Sequence, residues 1–131
     1  MDLGLGLAID ACVNENTAII NRIIQKIKEV RTFKSKCAAL GEHTRLLRAL
    51  LVKHSSAVES FQTLRDFRAC LEHIEEFVSS CKQFSVLDVS LEVFVKRTYP
   101  ALLKEISELK EIFLFESVVS LNGTLSPLGH G

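Results

Sequence analysis

Apolar residues recur every three or four positions along most of the chain, which is the spacing that places them on one face of an α-helix. The first long segment shows this period through Ile20, Ile23, Ile27 and Val30. Three further segments with the same period follow at about 33–54, 57–84 and 89–116. The alternation of apolar and polar residues that is typical of a β-strand persists nowhere in the sequence. The pattern therefore predicts four long amphipathic helices.

Two of these segments contain expected interruptions. Leu3–Val13 is predicted to form a short helix of its own, joined or kinked at Asn14–Asn16, because Asn16 or Thr17 can cap the helix that follows it. Pro100 lies inside the fourth segment, where a proline removes one hydrogen bond and clashes with the preceding turn. We therefore expect the last helix to be kinked or restarted near Pro100, with Thr98 as its cap. The predicted fold is all-α: an antiparallel four-helix bundle with a short extra N-terminal helix.

A chain of 131 residues with 47% hydrophobic residues is long enough to bury one core, and it has the size of a single domain. With no Trp and one Tyr, that core must consist of aliphatic side chains and phenylalanine. The helical period ends near residue 116. We expect a bundle domain over residues 1–116 and a flexible C-terminal tail over 117–131.

The opening residues, MDLGLGLAIDACV, are mostly apolar, contain two glycines and include no basic residue. A signal peptide is disfavoured, because Asp2 stands where a positive n-region is required and Asp10 interrupts the apolar run. A helix of this length rises about 20 Å, less than the hydrocarbon core of about 30 Å. Two interpretations remain: an ordinary core helix, or a segment that leaves the core to contact another surface.

Residues that could carry chemistry are few. The cysteines, Cys12, Cys37, Cys70 and Cys81, lack the two-residue spacing of zinc or redox motifs and are interpreted as reduced thiols. His73 has Glu76 one turn further on, but this reverses the Glu-x-x-His order of di-iron bundles and occurs once. The sequence also contains no phosphate-binding loop and no zinc-protease motif. We therefore predict no enzymatic activity, no bound metal and no cofactor.

The formal net charge is zero, which argues against a nucleic-acid partner. The charge is uneven, however: the first 54 residues carry nine Lys/Arg and five Asp/Glu, and the rest carry seven and eleven. Six cations form a basic run with a single acid, Glu29: Arg22, Lys26, Lys28, Arg31, Lys34 and Lys36. This run is either a solvated face paired with the acidic third helix, or a binding surface for anionic lipid, or one for a protein or nucleic-acid partner.

Three stretches carry a resemblance to a known family: KSKCAALGEHTRLLRALL, FQTLRDFRACLEHIEEFVSSC and FVKRTYPALLKEISELKEIFLF. Together with the apolar N-terminus and the basic first helix, they resemble the N-terminal four-helix bundle of the mixed-lineage kinase domain-like pseudokinases. That bundle belongs to the HeLo/HeLo-like superfamily of cell-death domains. The resemblance covers roughly residues 3–116, and its motifs are spaced apolar residues around Cys37, Leu40 and Gly41.

The resemblance implies a regulated-cell-death effector domain that oligomerises and binds or permeabilises anionic phospholipid membranes. It implies lipid contacts from the basic run and membrane insertion from the apolar N-terminus, at Leu3, Leu5, Leu7, Ile9 and Val13. It further implies a cytoplasmic protein that moves to the plasma membrane on activation, homo-oligomers, and a kinase or regulatory domain as partner. The alternative is a non-enzymatic helical adaptor or oligomerisation module attached to a kinase or an immune receptor.

Overall fold

The computed structural model describes the backbone of residues 3–54, 61–83 and 89–129, and the side chains of residues 8–53, 62–83 and 89–115. Four helices make up the described chain: α1 (Leu3–Ile27), α2 (Lys34–His54), α3 (Phe61–Gln83) and α4 (Val89–Gly129). The predicted all-α class and four-helix bundle are confirmed. The expected start of the third helix at Ala57 and its end at Phe84 lie outside the described residues.

Helices α1 and α3 run in the same direction and pack closely. Three side-chain contacts between them each join residues 53 positions apart: Glu15–Arg68, Arg22–Glu75 and Lys26–Ser79. Because both members of each pair advance together along the chain, the two helices are parallel and in constant register.

The other contacts complete the arrangement. Lys36 lies over the ring of Tyr99 and His43 meets Lys110, so α2 and α4 are also parallel. Phe67 packs on Phe113 and Phe77 on Phe94, so α3 and α4 are antiparallel. Around the bundle the order is α1, α3, α4, α2, with α2 and α3 on a diagonal. The chain thus forms two antiparallel hairpins, α1–α2 and α3–α4, lying side by side.

Phenylalanine and aliphatic residues fill the core, as the composition predicts. The ring centroids of Phe67 and Phe113 lie 5.9 Å apart. Phe77 stacks on Phe94 at 6.0 Å and meets Tyr99 in a tilted contact at 5.9 Å. Aliphatic side chains from all four helices surround these rings, among them Ile20, Ile23, Leu40, Leu47, Leu51, Leu71, Ile74 and Ile106.

Gly41 of α2 lies in close contact with α1. A Cβ at this position would lie 3.0 Å from Cδ1 of Ile27. The absence of a side chain in α2 therefore lets α1 pack against it at short range, within the α1–α2 hairpin.

The expected separate N-terminal helix was wrong, because α1 is continuous from Leu3 to Ile27. Asn16 is not a cap but is buried against α3, where its amide donates to the carbonyl of Leu64 at 3.4 Å. The hydroxyl of Thr17 donates to the carbonyl of Val13 at 2.9 Å, one turn back in the same helix. Both side chains are thus bonded in ways compatible with a continuous helix, and no break is needed.

Of the kink or restart expected near Pro100 in the fourth helix, the restart is wrong and the kink stays a prediction. The helix does not restart at Pro100, which lies on the exposed side of α4, where water reaches the carbonyl left without its helical partner. Ile112 is 44% exposed, although it fits the helical period, because the inward positions are taken by Leu109 and Phe113. The helix continues beyond the expected end near residue 116. The flexible tail over 117–131 stays a prediction, because side chains after Phe115 lie outside the described residues.

Candidate functional site

The link between α1 and α2 has a defined geometry. Val30 and Thr32 are buried, and the hydroxyl of Thr32 donates to the carbonyl of Cys81 in α3 at 2.8 Å. Phe33 has a positive φ of 51°, and its carbonyl accepts the first hydrogen bond of α2, from the amide of Cys37, at 3.0 Å. A phenylalanine in this left-handed region is strained by about 1–3 kcal/mol. Packing of the neighbouring residues therefore holds this link in shape.

Two of the six predicted lipid-binding cations are engaged within the molecule. Arg22 donates twice to the Glu75 carboxylate, at 3.0 and 3.2 Å, and Lys26 lies 3.3 Å from the same carboxylate. The hydrogen bond from Arg22 is the main cause that holds the pKa of Glu75 below its ordinary value. Lys26 also donates to the hydroxyl of Ser79 at 3.1 Å. These two cations join α1 to α3.

Three other predicted cations, Lys28, Arg31 and Lys34, are exposed around the link and are here called the cationic turn. Among the described residues no carboxylate lies within ion-pair distance of any of them. Arg31 stands between the buried Val30 and Thr32, so the backbone that anchors the link also turns this guanidinium outward. The cationic turn is thus a cluster of exposed positive charge at one end of the bundle, without an ion-pair partner among the described residues.

The only acid of the basic run does not neutralise the cationic turn. Glu29 forms an ion pair with Lys82 of α3, and this contact lowers the pKa of Glu29 below its ordinary value. Lys36, the sixth predicted cation, lies 5.4 Å from the centre of the Tyr99 ring, a cation–π contact. The structure thus divides the basic run into residues that hold helices together and residues that face solvent.

The predicted insertion residues are only partly described. The side chains of Leu3, Leu5 and Leu7 lie outside the described residues, whereas Ile9 and Val13 are half-buried and pack against the core. Further along α1, Asn16 is 1% exposed, and its Oδ1 has no hydrogen-bond partner among the described residues. An unpartnered buried acceptor costs about 1–3 kcal/mol. The contact of Asn16 with α3 is thus less favourable than one in which every buried polar atom has a partner.

The other residues that could carry chemistry form contacts between helices. His73 pairs with Glu105 of α4 at 2.9 Å rather than with Glu76. The thiol of Cys37 lies beside that of Cys81, and this contact together with burial raises the pKa of Cys37 well above its ordinary value. Burial raises the pKa of Cys70 to about 12, so Cys37 and Cys70 are poor nucleophiles. Within the described ranges, no three His, Cys, Asp or Glu side chains converge on a metal site.

Sequence reasoning missed a second surface, at the seam between α2 and α4. A groove of about 380 Å³ is lined there by Leu46, Ala49, Leu50 and Lys53 of α2 and by Lys110 and Leu114 of α4. Leu46 and Leu114 are 55% and 45% exposed. Leu50 is half-buried and packs against the core. The available signal was that leucines occupy more than one face of the second helix.

Comparisons with known proteins leave the family open: no protein-family model, no curated protein and no solved structure matches the chain. Of the helices over their described residues, none combines the length and the apolar character needed to span a membrane.

Proposed function

We propose that this bundle is a regulated-cell-death effector domain that binds anionic membranes through the cationic turn and disturbs them through the N-terminal part of α1. The observation that supports the proposal best is the cationic turn itself, whose exposed Lys28, Arg31 and Lys34 have no ion partner among the described residues. Cations that are already paired would have to give up a carboxylate before meeting a lipid phosphate. These three do not.

The strength of such binding follows from the number of charges. A basic side chain near an anionic membrane surface contributes about 1 kcal/mol. The cationic turn therefore supplies about 3 kcal/mol per molecule, which makes binding by a single copy weak and reversible. Several linked copies multiply the effect, because each further contact is intramolecular. Homo-oligomers on the membrane are therefore part of the proposal.

Insertion is assigned to the N-terminal part of α1, at Leu3, Leu5, Leu7, Ile9 and Val13. The unpartnered acceptor of Asn16 supports this assignment, because its desolvation cost disappears when this part of α1 leaves α3. Farther along the helix, Glu75 holds Arg22 and Lys26. We therefore place the boundary between the moving and the retained parts of α1 between Asn16 and Arg22.

Binding is tested by co-sedimentation with vesicles of phosphatidylcholine and phosphatidylserine over a salt series. The triple variant Lys28→Gln, Arg31→Gln, Lys34→Gln should bind at least about tenfold more weakly, because about 3 kcal/mol of attraction is removed. A matched control removes three exposed cations elsewhere, with Arg48→Gln, Arg65→Gln and Lys104→Gln. Equal loss in both triple variants would show that net charge alone matters, and absence of wild-type binding would exclude the proposal.

Membrane damage is tested separately by release of a dye from the same vesicles. Leu5→Glu should leave vesicle binding unchanged but reduce dye release by at least about tenfold, because inserting a glutamate into the hydrocarbon core of the membrane is energetically unfavourable. Leu5→Ile is the control and should release dye like the wild type. If Leu5→Glu releases dye normally, the N-terminal part of α1 is not the inserting segment.

The alternative, a helical adaptor or oligomerisation module, is favoured by the α2–α4 groove. Its exposed leucines form one continuous apolar surface, whereas scattered single apolar residues are normal on any protein. An adaptor would capture its partner in solution without lipid, and the cationic-turn variants would capture it equally well.

A further inference from the structure

The α2–α4 groove has an apolar floor and basic ends. Leu50 is half-buried in the lining of the groove, and Leu46 and Leu114, which also line it, are exposed. The two charged residues of its lining are both lysines, Lys53 and Lys110. Among the described residues neither lysine has a carboxylate within ion-pair distance. An apolar groove with cations at its rim is complementary to an apolar ridge bordered by acids.

The two lysines lie at different levels along the groove. Lys110 donates to Nδ1 of His43 at 3.0 Å, which fixes it near the level of His43 on α2. Lys53 follows His43 on the same helix by about three turns, a rise of roughly 15 Å. The backbone levels of the two lysines thus differ by about three turns, and carboxylates at a comparable spacing fit both. On an α-helix that distance corresponds to acids about ten or eleven residues apart, on one face.

From this spacing we infer that the α2–α4 groove binds an amphipathic helix of a partner protein, with a leucine-type ridge and acidic residues about three turns apart. Helices recognised in this way place apolar residues at i, i+3 or i+4 and i+7 into the groove. The inference does not depend on membrane binding, because the groove and the cationic turn share no residue.

Among its described residues, a second copy of this chain offers no helix whose acids lie about three turns apart beside an apolar ridge. On α4 the exposed Ile112 and Phe115 follow Glu105 and Glu108, but these acids are three residues apart and are already paired with His73 and Lys104. The acidic face of α3, with Glu72 and Glu76, carries no large exposed apolar residue. The exposed Val89 and Val93 of α4 form an apolar ridge, but the ridge continues into Lys96 and Arg97. These cations would face the lysines of the groove and repel them. The charge pattern therefore favours a different protein as the occupant.

The test uses two synthetic peptides of about 18 residues, each roughly five helical turns with the same leucine ridge. One carries two glutamates about eleven residues apart beside the ridge, and the other carries lysines at the same two positions. Fluorescence anisotropy with the full chain should show the glutamate peptide binding at least about tenfold more tightly. Equal affinity for the two peptides, or binding of neither, would overturn the inference.

Variants of the protein locate the binding. Leu46→Glu should abolish binding of the glutamate peptide, and Lys53→Glu should reverse the preference toward the lysine peptide. Both residues are exposed, so their unfolding temperatures should match that of the wild type. Vesicle binding by Leu46→Glu should remain normal, which separates this inference from the proposed membrane function. Self-association of the wild type that Leu46→Glu removes in sedimentation velocity would assign the groove to a second copy and overturn the inference.

Discussion

The α1–α3 seam and the α2–α4 seam both join helices that run in the same direction, but their surfaces differ. At the α1–α3 seam Ile20 and Ile23 are fully buried, and Arg22 reaches Glu75 across it. At the α2–α4 seam Leu46 and Leu114 remain exposed beside a groove. The first seam therefore supplies stability, whereas the second retains apolar surface that a partner can cover.

The strongest way to challenge this contrast is to remove one apolar side chain from each seam. Ile20→Ala should lower the free energy of unfolding by about 2–5 kcal/mol, because it leaves a cavity in the core. Leu46→Ala should change it by less than about 0.5 kcal/mol, because Leu46 is already largely solvated. Urea unfolding of both variants measures the difference. Similar losses would mean that the α2–α4 seam is also structural.

A second substitution sharpens the contrast within α1. Asn16→Leu should raise the free energy of unfolding by about 1–2 kcal/mol, because it removes a buried acceptor that has no described partner. It should also reduce dye release from vesicles if the N-terminal part of α1 must leave α3. Asn14→Leu, on the exposed side of the same helix, is the control for helix propensity. A destabilised Asn16→Leu variant would show that the acceptor is satisfied.

The ion pairs of the α1–α3 seam should have a smaller effect. Glu75→Gln should lower the free energy of unfolding at pH 7 by about 1 kcal/mol, because Arg22 and Lys26 lose their shared partner. The folded-state pKa of Glu75 lies below its ordinary value of 4.5, mainly because Arg22 donates to it. Its contribution is therefore present at neutral pH and is lost as the pH falls below about 4.5.

Unfolding measured between pH 7 and pH 3 tests this assignment. The difference in free energy of unfolding between the wild type and Glu75→Gln should disappear as Glu75 becomes protonated. Glu76→Gln, next to it on α3 and without an ion pair among the described residues, should follow the wild-type curve. If both variants show the same loss at pH 7, the effect is due to general charge rather than to the contact with Arg22.

The smallest effect is expected at the α2–α4 seam. Burial, and then the charge of Lys110, lowers the pKa of His43 below its ordinary value of 6.5. The unfolded chain therefore binds a proton first, and stability falls as the pH drops below about 6.5. His43→Gln keeps an acceptor for Lys110 but cannot titrate. Between pH 7.5 and pH 5.5 the unfolding temperature of this variant should decrease less than that of the wild type. An identical decrease would show that His43 is not the source of the pH dependence.

The helical period predicts much of this fold. It identifies the four helices and places residues such as Ile20, Leu47 and Phe67 in the core, because these positions follow from spacing within one helix. It fails where tertiary packing decides. Asn16 is a residue type that often caps helices, but here it is buried against α3. Ile112 follows the helical period, but Phe113 occupies the core and Ile112 is exposed.

The candidate sites are predictable to a lesser degree. The basic run is visible in the sequence, but its division into paired and unpaired cations depends on Glu75, which is 53 positions from Arg22. That partner becomes evident only once α1 and α3 are known to be neighbours. The α2–α4 groove depends in the same way on which helices adjoin, since its two lysines come from α2 and α4.

The side-by-side arrangement of the two hairpins has a consequence for folding kinetics. Each hairpin is closed by contacts between consecutive helices, whereas the α1–α3 contacts join residues 53 positions apart and bring the hairpins together. Distant contacts carry the larger entropic cost of loop closure, so we expect them to form last. Loss of the Glu75 carboxylate should then accelerate unfolding more than it slows folding.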